Sequence, residues 1–320
     1  VFSTALGLAD IEQGVPLKTT SVHRLASLSK PITGTIIMDL VAQGKLNLDA
    51  PIRRYLPELP ETYEPVTLRQ LLDHQSGIGG DEGEAVAFSN THYKTSRAAL
   101  KIFVDHPLKL RPGSKTMYSS LAFTVAGAAA ESVTGQRFQR LSADFFARHS
   151  LKGLFLDDPL AIVAGRVRGY LVDSASKIEF NDGRTMTRDY LAGTTGPITN
   201  ARAYDISNRY PAGGFDSSAE DLMRFVIAVA TAKVLPAESV NRMWSPQQTS
   251  DGKPSVFGIG WGVSQRQGKR MVGMNGTEPS TTTFLRYFPD SGSGVAVLCN
   301  AEGAQDLSKL LDDILQEMFR

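Results

Sequence analysis

Apolar side chains recur at spacings of three and four in several stretches of the chain, which places them on one face of a helix. The clearest stretch is residues 28–43, whose apolar face consists of Ile32, Ile36, Ile37, Leu40 and Val41. Gly44 follows where a helix commonly ends, and Pro31 fits only a first turn. The pattern predicts a helix over this stretch.

The chain from Asp49 to about Tyr210 reads as short helical pieces separated by proline and glycine. A predicted β-hairpin at RGYLVDSASKIEFNDGR, residues 168–184, interrupts them. The helical pieces are TLRQLLDHQSGIGG, SRAALKIFVDHPL, SLAFTVAGAAAESVTG and RFQRLSADFFARHSL.

A further helix is predicted after GGFDSS, where Ser217 and Glu220 have the spacing of a capping box. Beyond it the pattern changes to short β-branched or aromatic runs between glycine turns, which predict successive antiparallel strands. These runs are FGIGWGVSQ, KRMVGMNG, TTTFLRYFP and GVAVLCN, and a last helix follows at AQDLSKLLDDILQEMF.

The order of these elements predicts an α/β (α+β) fold, in which an antiparallel sheet flanked by helices is formed from both chain ends. We expect residues 1–60 and 210–320 to form this sheet-plus-helix domain. Residues 61–209 are expected to form an inserted, mostly helical domain.

The composition of the chain excludes some classes of protein. The 34 lysines and arginines nearly cancel the 33 aspartates and glutamates, so the charge of a nucleic-acid binder is missing. The longest apolar run, residues 121–130, is too short to span a bilayer. Cys299 is alone, which excludes an internal disulfide.

Because the chain opens on Val1 inside a strand-like segment, we expect upstream residues to have been trimmed. An export signal is expected to be either absent or already removed.

The tetrapeptide S-x-x-K occurs three times, whereas G-x-S-x-G, H-E-x-x-H, Walker and G-x-G-x-x-G motifs do not occur. The copy at Ser250 lies in a turn. The copy at Ser174 and Lys177 lies in the predicted hairpin, where residues three apart point to opposite faces. Only Ser27 and Lys30 bracket the first turn of a helix, where the amine can reach the hydroxyl.

Ser27 is a poor nucleophile until a base takes its proton, and a lysine is such a base only in a suitable environment. The alternative is that Ser27 caps a helix and Lys30 is solvated. Tyr118 provides a second signal, because among the nine tyrosines it alone has serine or asparagine two residues on. A phenol beside this pair can relay a proton to a leaving group.

These motifs make the chain resemble the serine β-lactamase-like family, which includes penicillin-binding proteins, class C β-lactamases and related carboxylesterases. Ser27-Leu28-Ser29-Lys30 matches its first motif and Tyr118-Ser119-Ser120 its second. Further similar segments follow in the family's order, among them LASLSKPITG, GKLNLDAPIRRYLPELP, VTLRQLLDHQSGI, PAGGFDSSAEDLMRF and FGIGWGV. The resemblance implies a β-lactamase/transpeptidase-like fold, with the active site between the two expected domains.

The resemblance also implies the roles of individual residues. Ser27 would attack a carbonyl, Lys30 would be the base for acylation, and Tyr118 would relay the proton to the leaving group. Ser120 would hydrogen-bond the Lys30 amine or the substrate. His74 matches a family segment that shapes the inserted domain, so we expect it to be structural.

The third motif of the family, K-T-G or H-x-G, falls at Met274, Asn275 and Gly276. Gly276 allows close backbone approach, and the N–H of Thr277 would complete an oxyanion hole with that of Ser27. Met274 replaces the family's cation. Because a charged hydrogen bond contributes about 1.5–3 kcal/mol, binding of substrates with a carboxylate should weaken about ten- to a hundredfold.

Three functions follow from these residues. The leading hypothesis is a serine hydrolase that works through an acyl-enzyme on Ser27, most readily a carboxylesterase acting on uncharged esters or amides. The second is a β-lactamase, D-aminopeptidase or D,D-peptidase-like hydrolase whose carboxylate anchor comes from elsewhere, for example Arg286. The third is a catalytically weak binding or scaffold protein, for which Met274 is the sequence indication.

The expected partner is a small ester, amide or β-lactam, with no nucleic acid and no transmembrane segment. No cofactor and no metal are implied, because the expected base is an amine and backbone groups would hold the oxyanion. Family resemblance favours an exported bacterial protein.

Overall fold

A computed structural model describes residues 2–79, 86, 88–172, 177–179, 185–187, 198–304 and 306–320. Within these ranges short 3₁₀ turns, including Ala26–Leu28, accompany the helices. The α-helices are α1 (Ser29–Ala42), α2 (Leu68–Leu72), α3 (Ser96–Ala99), α4 (Ser120–Thr134), α5 (Phe138–Arg148), α6 (Tyr210–Gly213), α7 (Ala219–Ala230), α8 (Ala237–Met243) and α9 (Asp306–Met318).

The main sheet is antiparallel, with strand order β10-β11-β12-β13. Its strands follow one another in the chain, as the alternation of apolar runs and glycine turns predicts. In register, Gly276 of β11 lies opposite Thr283 of β12. The strands are β10 (Gly262–Arg266), β11 (Lys269–Glu278), β12 (Thr281–Phe288) and β13 (Ser293–Cys299).

Smaller sheets surround the main one. They are β1-β2 (Leu8–Asp10, Val15–Pro16), β3-β9-β4 (His23–Arg24, Phe215–Ser217, Leu154–Leu156), β14-β5-β8 (Ala301–Glu302, Tyr170–Val172, Ile198–Asn200) and β6-β7 (Lys177–Glu179, Thr185–Thr187). The hairpin predicted over 168–184 is therefore wrong in its pairing. β5 pairs with β8 and β14, which are distant from it in sequence, and β6 pairs with the nearby β7 rather than with β5. Ser174 lies outside the described residues.

Helix α1 confirms the helix predicted over 28–43. The helix ends at Ala42, just before the predicted glycine, since Gly44 has a φ of 72° and its N–H donates to the Val41 carbonyl. The next N–H, of Lys45, donates to the Leu40 carbonyl, which closes a left-handed cap. The helix is buried on nearly all sides from Ser29 to Met38 and thus forms the centre of the molecule.

The predicted cap of α7 is off by one residue. Ser218, not Ser217, has the extended backbone of an N-cap, and its Oγ accepts from the Asp221 N–H. Ser217 ends β9 and donates its hydroxyl to the Gly153 carbonyl. From the sequence alone either serine could be the N-cap. Ser217 is the last paired residue of β9, so Ser218 becomes the cap.

The two faces of the main sheet are both covered. Met274 and Leu285 belong to the large core that contains α1, whereas Phe284 and Phe288 pack with Leu311 and Leu315 of α9. This arrangement confirms the predicted α/β fold with an antiparallel sheet flanked by helices. The division into two domains stays a prediction. No helix among the described residues is long and apolar enough to cross a membrane.

Candidate active site

Ser27 lies at a sharp bend between β3 and α1. The Leu25 N–H donates to the Phe215 carbonyl, which ties the end of β3 to β9. Ala26 then adopts a left-handed backbone with a φ of 49°, a conformation that a non-glycine residue rarely adopts. Ser27 is partly exposed, although Ala26 and Leu28 on either side are buried. The bend thus presents this hydroxyl at the surface of the core.

The Lys30 amine is completely buried, at 0% exposure, and lies 3.0 Å from Ser27 Oγ. It also donates to Ser120 Oγ at 3.2 Å and to the Ala212 carbonyl at 3.1 Å. The Tyr118 ring lies beneath it, with its centroid 4.7 Å from Nζ. Ser27 Oγ, Ser120 Oγ and the Ala212 carbonyl oxygen thus surround Nζ, as the burial of a polar group requires.

Tyr118 reaches the same serine from the other side. Its hydroxyl donates to Ser27 Oγ at 2.6 Å. The helix start that follows fixes the motif, since Ser119 caps α4 by accepting from the Ala122 N–H. Ser120 is the first residue of that helix. The structure therefore brings Ser27, Lys30, Tyr118 and Ser120 together in one hydrogen-bonded set.

The third-motif residues lie on β11. Gly276 faces the bend that carries Ser27, because a Cβ on Gly276 would lie 2.6 Å from the Leu25 carbonyl oxygen and 3.1 Å from Ala26 Cβ. Met274 points to the same face, is 8% exposed, and belongs to the main core. Asn275 and Thr277 alternate with them and are exposed. The backbone of Gly276 is thus beside the bend that carries Ser27, while the Met274 side chain on the same face is apolar.

Threonines of β12 hold the chain that leads into the bend. Thr281 Oγ1 donates to the Arg24 carbonyl at 3.0 Å, and Thr283 Oγ1 donates to the Leu25 carbonyl at 2.9 Å. Both side chains are buried. The main sheet therefore fixes the position of Ser27 through side chain to backbone bonds as well as through Gly276.

Arg286 does not serve as the carboxylate anchor considered from the sequence. It donates to Asn275 Oδ1 at 2.5 Å and to the Met274 carbonyl at 3.2 Å. Asn275 points to the face opposite Gly276, because successive residues of a strand alternate. Burial lowers the pKa of Arg286 to about 10. The Arg286 guanidinium is thus hydrogen-bonded on the face of the sheet opposite Gly276. The expectation that Arg286 anchors a substrate carboxylate is therefore wrong.

Glu278 is a site residue that the sequence interpretation missed. Its carboxylate accepts from the Tyr204 hydroxyl at 3.0 Å and lies 3.9 Å from Arg209 Nε. A Cβ on Gly213 would clash with this carboxylate, so Glu278 lies next to the segment whose Ala212 carbonyl holds Lys30. Burial raises the pKa of Glu278, and the positive charges of Arg209, Arg24 and Lys30 oppose that shift.

The signal for Glu278 was present in the sequence. It is the one charged residue in MNGTEPSTTT, two positions after the third-motif glycine. Ala212 gave no such signal, because it contributes a backbone carbonyl that any residue carries.

The other two S-x-x-K copies show no such cluster in the described residues. Lys253 is 80% exposed and pairs with Asp251 at 2.9 Å, and the Ser250 N–H donates to the Gly113 carbonyl. For the copy at Lys177, Ser174 is not among the described residues. The choice of Ser27 and Lys30 by helix geometry agrees with this arrangement.

Comparison with known proteins identifies the family. The human serine beta-lactamase-like protein LACTB, mitochondrial, is 24% identical over 353 residues, which cover 83% of this chain and 61% of that protein. The chain thus spans less than two thirds of that relative. Esterase EstB of Burkholderia gladioli is 38% identical over 151 residues, covering 42% of this chain and 38% of EstB.

Solved structures agree on the fold. The D-amino acid amidase of Ochrobactrum anthropi SV3 superposes with a TM-score of 0.83 at 20% identity, over 98% of this chain and 89% of the amidase. The sequence profile described as Beta-lactamase matches residues 1–317. On this match across the chain, with the β-lactamase/transpeptidase fold and the S-x-x-K and Y-x-S motifs in contact, the protein belongs to the beta-lactamase family.

Proposed function

We propose that the protein is a serine hydrolase that forms an acyl-enzyme on Ser27 and acts on uncharged esters or amides. The observation that carries this proposal is the unbroken set of hydrogen bonds from Tyr118 through Ser27 to Lys30, at 2.6 and 3.0 Å. A hydroxyl placed between two proton-transfer groups is the arrangement that nucleophilic catalysis requires.

Each residue has a role in this proposal. Ser27 Oγ attacks the carbonyl carbon while Lys30 takes the serine proton, and Tyr118 gives a proton to the leaving group. Ser120 and the Ala212 carbonyl orient the Lys30 amine. The N–H groups of Ser27 and Thr277 hold the oxyanion, and backbone donors of this kind are independent of the side chain at position 274.

The substrate class follows from the third motif. Met274 offers no charge to a substrate carboxylate, and Arg286 is bound on the opposite face of β11. Ester substrates are supported by the match to EstB, and amide substrates by the fold shared with the D-amino acid amidase. Both classes react through an acyl-enzyme without requiring a carboxylate anchor.

Steady-state kinetics with three substrates test the proposal. p-Nitrophenyl butyrate, p-nitrobutyranilide and nitrocefin represent an uncharged ester, an uncharged amide and a β-lactam. We expect turnover of the ester or the anilide to exceed that of nitrocefin and to be lost in Ser27→Ala. Ser250→Ala is the matched control, because it alters another S-x-x-K copy and should leave turnover unchanged. Dominant nitrocefin turnover would favour the β-lactamase alternative, and no turnover with any substrate would favour the scaffold alternative.

A further inference from the structure

His74 holds the backbone on both sides of Tyr118. The Met117 N–H donates to the His74 carbonyl at 2.7 Å, and the Ser119 N–H donates to His74 Nδ1 at 3.1 Å. Between these two bonds the Tyr118 ring lies on the imidazole, with centroids 4.4 Å apart and planes inclined by 30°. His74 thus contacts the Tyr118 ring and the N–H groups of the residues on either side of it.

The environment of His74 is rigid. It is 0% exposed, and Phe123 and Phe257 pack against its ring at centroid distances of 5.3 and 4.4 Å. Its backbone is left-handed, with a φ of 63°. Such a conformation costs free energy in a non-glycine residue, and strained residues of this kind concentrate where function fixes the geometry.

The hydrogen bond from the Ser119 N–H also determines which imidazole nitrogen of His74 carries the hydrogen. Nδ1 accepts, so it carries no hydrogen, and the neutral ring has its hydrogen on Nε2. A doubly protonated ring would turn an N–H toward the Ser119 N–H and lose this bond. His74 is therefore built as a neutral acceptor.

We propose that His74 is a positioning residue that aims the Tyr118 hydroxyl at Ser27 Oγ for proton transfer. This inference rests on the proposed function, and it gives a role in the reaction to a residue that the sequence interpretation considered structural. His74 does not touch Ser27 or Lys30 in the described hydrogen bonds. It acts through the orientation of Tyr118.

The step that depends on this orientation is the departure of the leaving group. Ser27 Oγ forms a bond to the carbonyl carbon as its proton passes to Lys30 Nζ. The bond from that carbon to the leaving oxygen then breaks, Tyr118 gives its proton to that oxygen, and Lys30 returns a proton to Tyr118. The alcohol product thus carries the former Tyr118 proton, Tyr118 is reprotonated from Lys30, and the net transfer is one proton from Ser27 to the alcohol.

Leaving groups differ in their need for that proton. Ethoxide requires protonation to leave, whereas p-nitrophenolate is stable as the anion. A misdirected Tyr118 should therefore slow ethyl butyrate far more than p-nitrophenyl butyrate. A loss of folded protein alone would slow both substrates equally, so the ratio of the two kcat/KM values separates positioning from stability.

The test measures this ratio in wild type, His74→Ala, Tyr118→Phe and the double variant. We expect each single variant to lower the ethyl to p-nitrophenyl ratio about tenfold or more, because general acid catalysis contributes at least about a hundredfold when complete. In the double variant His74→Ala should cause no further fall, since it acts through the hydroxyl that Tyr118→Phe removes. An unchanged ratio in His74→Ala, or a further fall in the double variant, would overturn the inference.

His74→Asn replaces His74→Ala if the alanine variant does not fold. Asparagine tolerates the left-handed backbone and keeps an oxygen that can accept from the Ser119 N–H. It loses the ring contact alone, so the ratio should fall about two- to tenfold, and an unchanged ratio would again overturn the inference. If wild type hydrolyses neither these esters nor the anilide, the proposed function has failed and this inference falls with it. If wild type hydrolyses both and the His74 variants keep the wild-type ratio, only the role of His74 is wrong.

Discussion

Gly276 lies so close to Leu25 that a Cβ on the glycine would be 2.6 Å from the Leu25 carbonyl oxygen. Leu25 begins the bend that presents Ser27, and Gly276 begins the expected oxyanion segment. The contact therefore sets the distance between the Ser27 bend and the β11 segment that we propose as part of the oxyanion hole. The two segments can come this close because Gly276 has no side chain.

Gly276→Ala should separate these two segments. The added methyl group forces β11 away from the bend, and a misplacement of about 1 Å can reduce activity about a hundredfold. We expect kcat for p-nitrophenyl butyrate to fall by about that factor. Gly268→Ala, in the turn before β11, is the control. It has open space around the added Cβ but a φ of 74°, so it should lower stability and leave kcat unchanged.

Lys30→Met should abolish most of the activity while keeping the fold. Methionine fills similar volume without a proton acceptor, and removal of a general base typically costs about a hundredfold or more in kcat/KM. Circular dichroism checks folding and the ester assay checks activity. Lys253→Met removes the exposed lysine of another S-x-x-K copy and should behave as wild type. An active Lys30→Met variant would mean that Tyr118 alone serves as the base.

Sequence analysis was sufficient for the elements whose pattern is local. The period of α1 and the glycine turns between β10 and β13 are visible in single stretches, and the structure confirms these elements. The pairing of β5 was wrong, because its partners β8 and β14 are distant in sequence. A local pattern identifies a strand but does not identify its neighbour.

The same distinction applies to the site. Ser27, Lys30 and Tyr118 carry their signal in residue type and spacing, so the sequence identifies them as candidates. The Ala212 carbonyl and the Glu278 carboxylate join them only through tertiary packing of α6 and β11. His74 was noticed but considered structural, because its two bonds to the peptide groups beside Tyr118 depend on backbone geometry.

Met274→Lys should shift preference toward substrates with a carboxylate. Met274 lies on the face of β11 that meets the nucleophile bend, and a lysine there restores a charged donor worth about 1.5–3 kcal/mol. We expect the ratio of benzylpenicillin to ester acylation rates to rise about ten- to a hundredfold. Met274→Gln, similar in size and uncharged, is the control. An equal ratio in both variants would show that the missing cation does not determine the preference.

The contribution of Asp73 to the stability of the protein should fall as the pH rises from about 4 to 7. Burial raises the pKa of Asp73 to about 7 in the folded state, against about 3.9 in the unfolded chain. Between these values the folded state binds more protons, so the free energy of unfolding decreases by at most about 1.4 kcal/mol per pH unit for this group. Burial also raises the pKa of Asp216 and Glu278, which adds to the same trend.

Asp73→Asn tests this contribution by urea unfolding at several pH values. Asp73 Oδ1 accepts a hydrogen bond from the Gln75 N–H. An asparagine side chain keeps an oxygen that can accept this bond, but it does not titrate. The slope of the free energy of unfolding against pH should become more positive between pH 4 and 7, because the negative contribution of Asp73 is removed. Asp251→Asn is the control, because the pKa of that exposed carboxyl is lowered and its contribution falls below this range. A slope that is unchanged in Asp73→Asn would contradict the assignment.

Acylation of Ser27 is tested most directly by intact-protein mass spectrometry. Wild type and Ser27→Ala are incubated separately with a fluorophosphonate, p-nitrophenyl butyrate and benzylpenicillin. We predict a phosphonate adduct and a transient butyryl adduct on wild type alone, with little or no penicilloyl adduct. The absence of any adduct on wild type, or equal labelling of Ser27→Ala, would contradict the account.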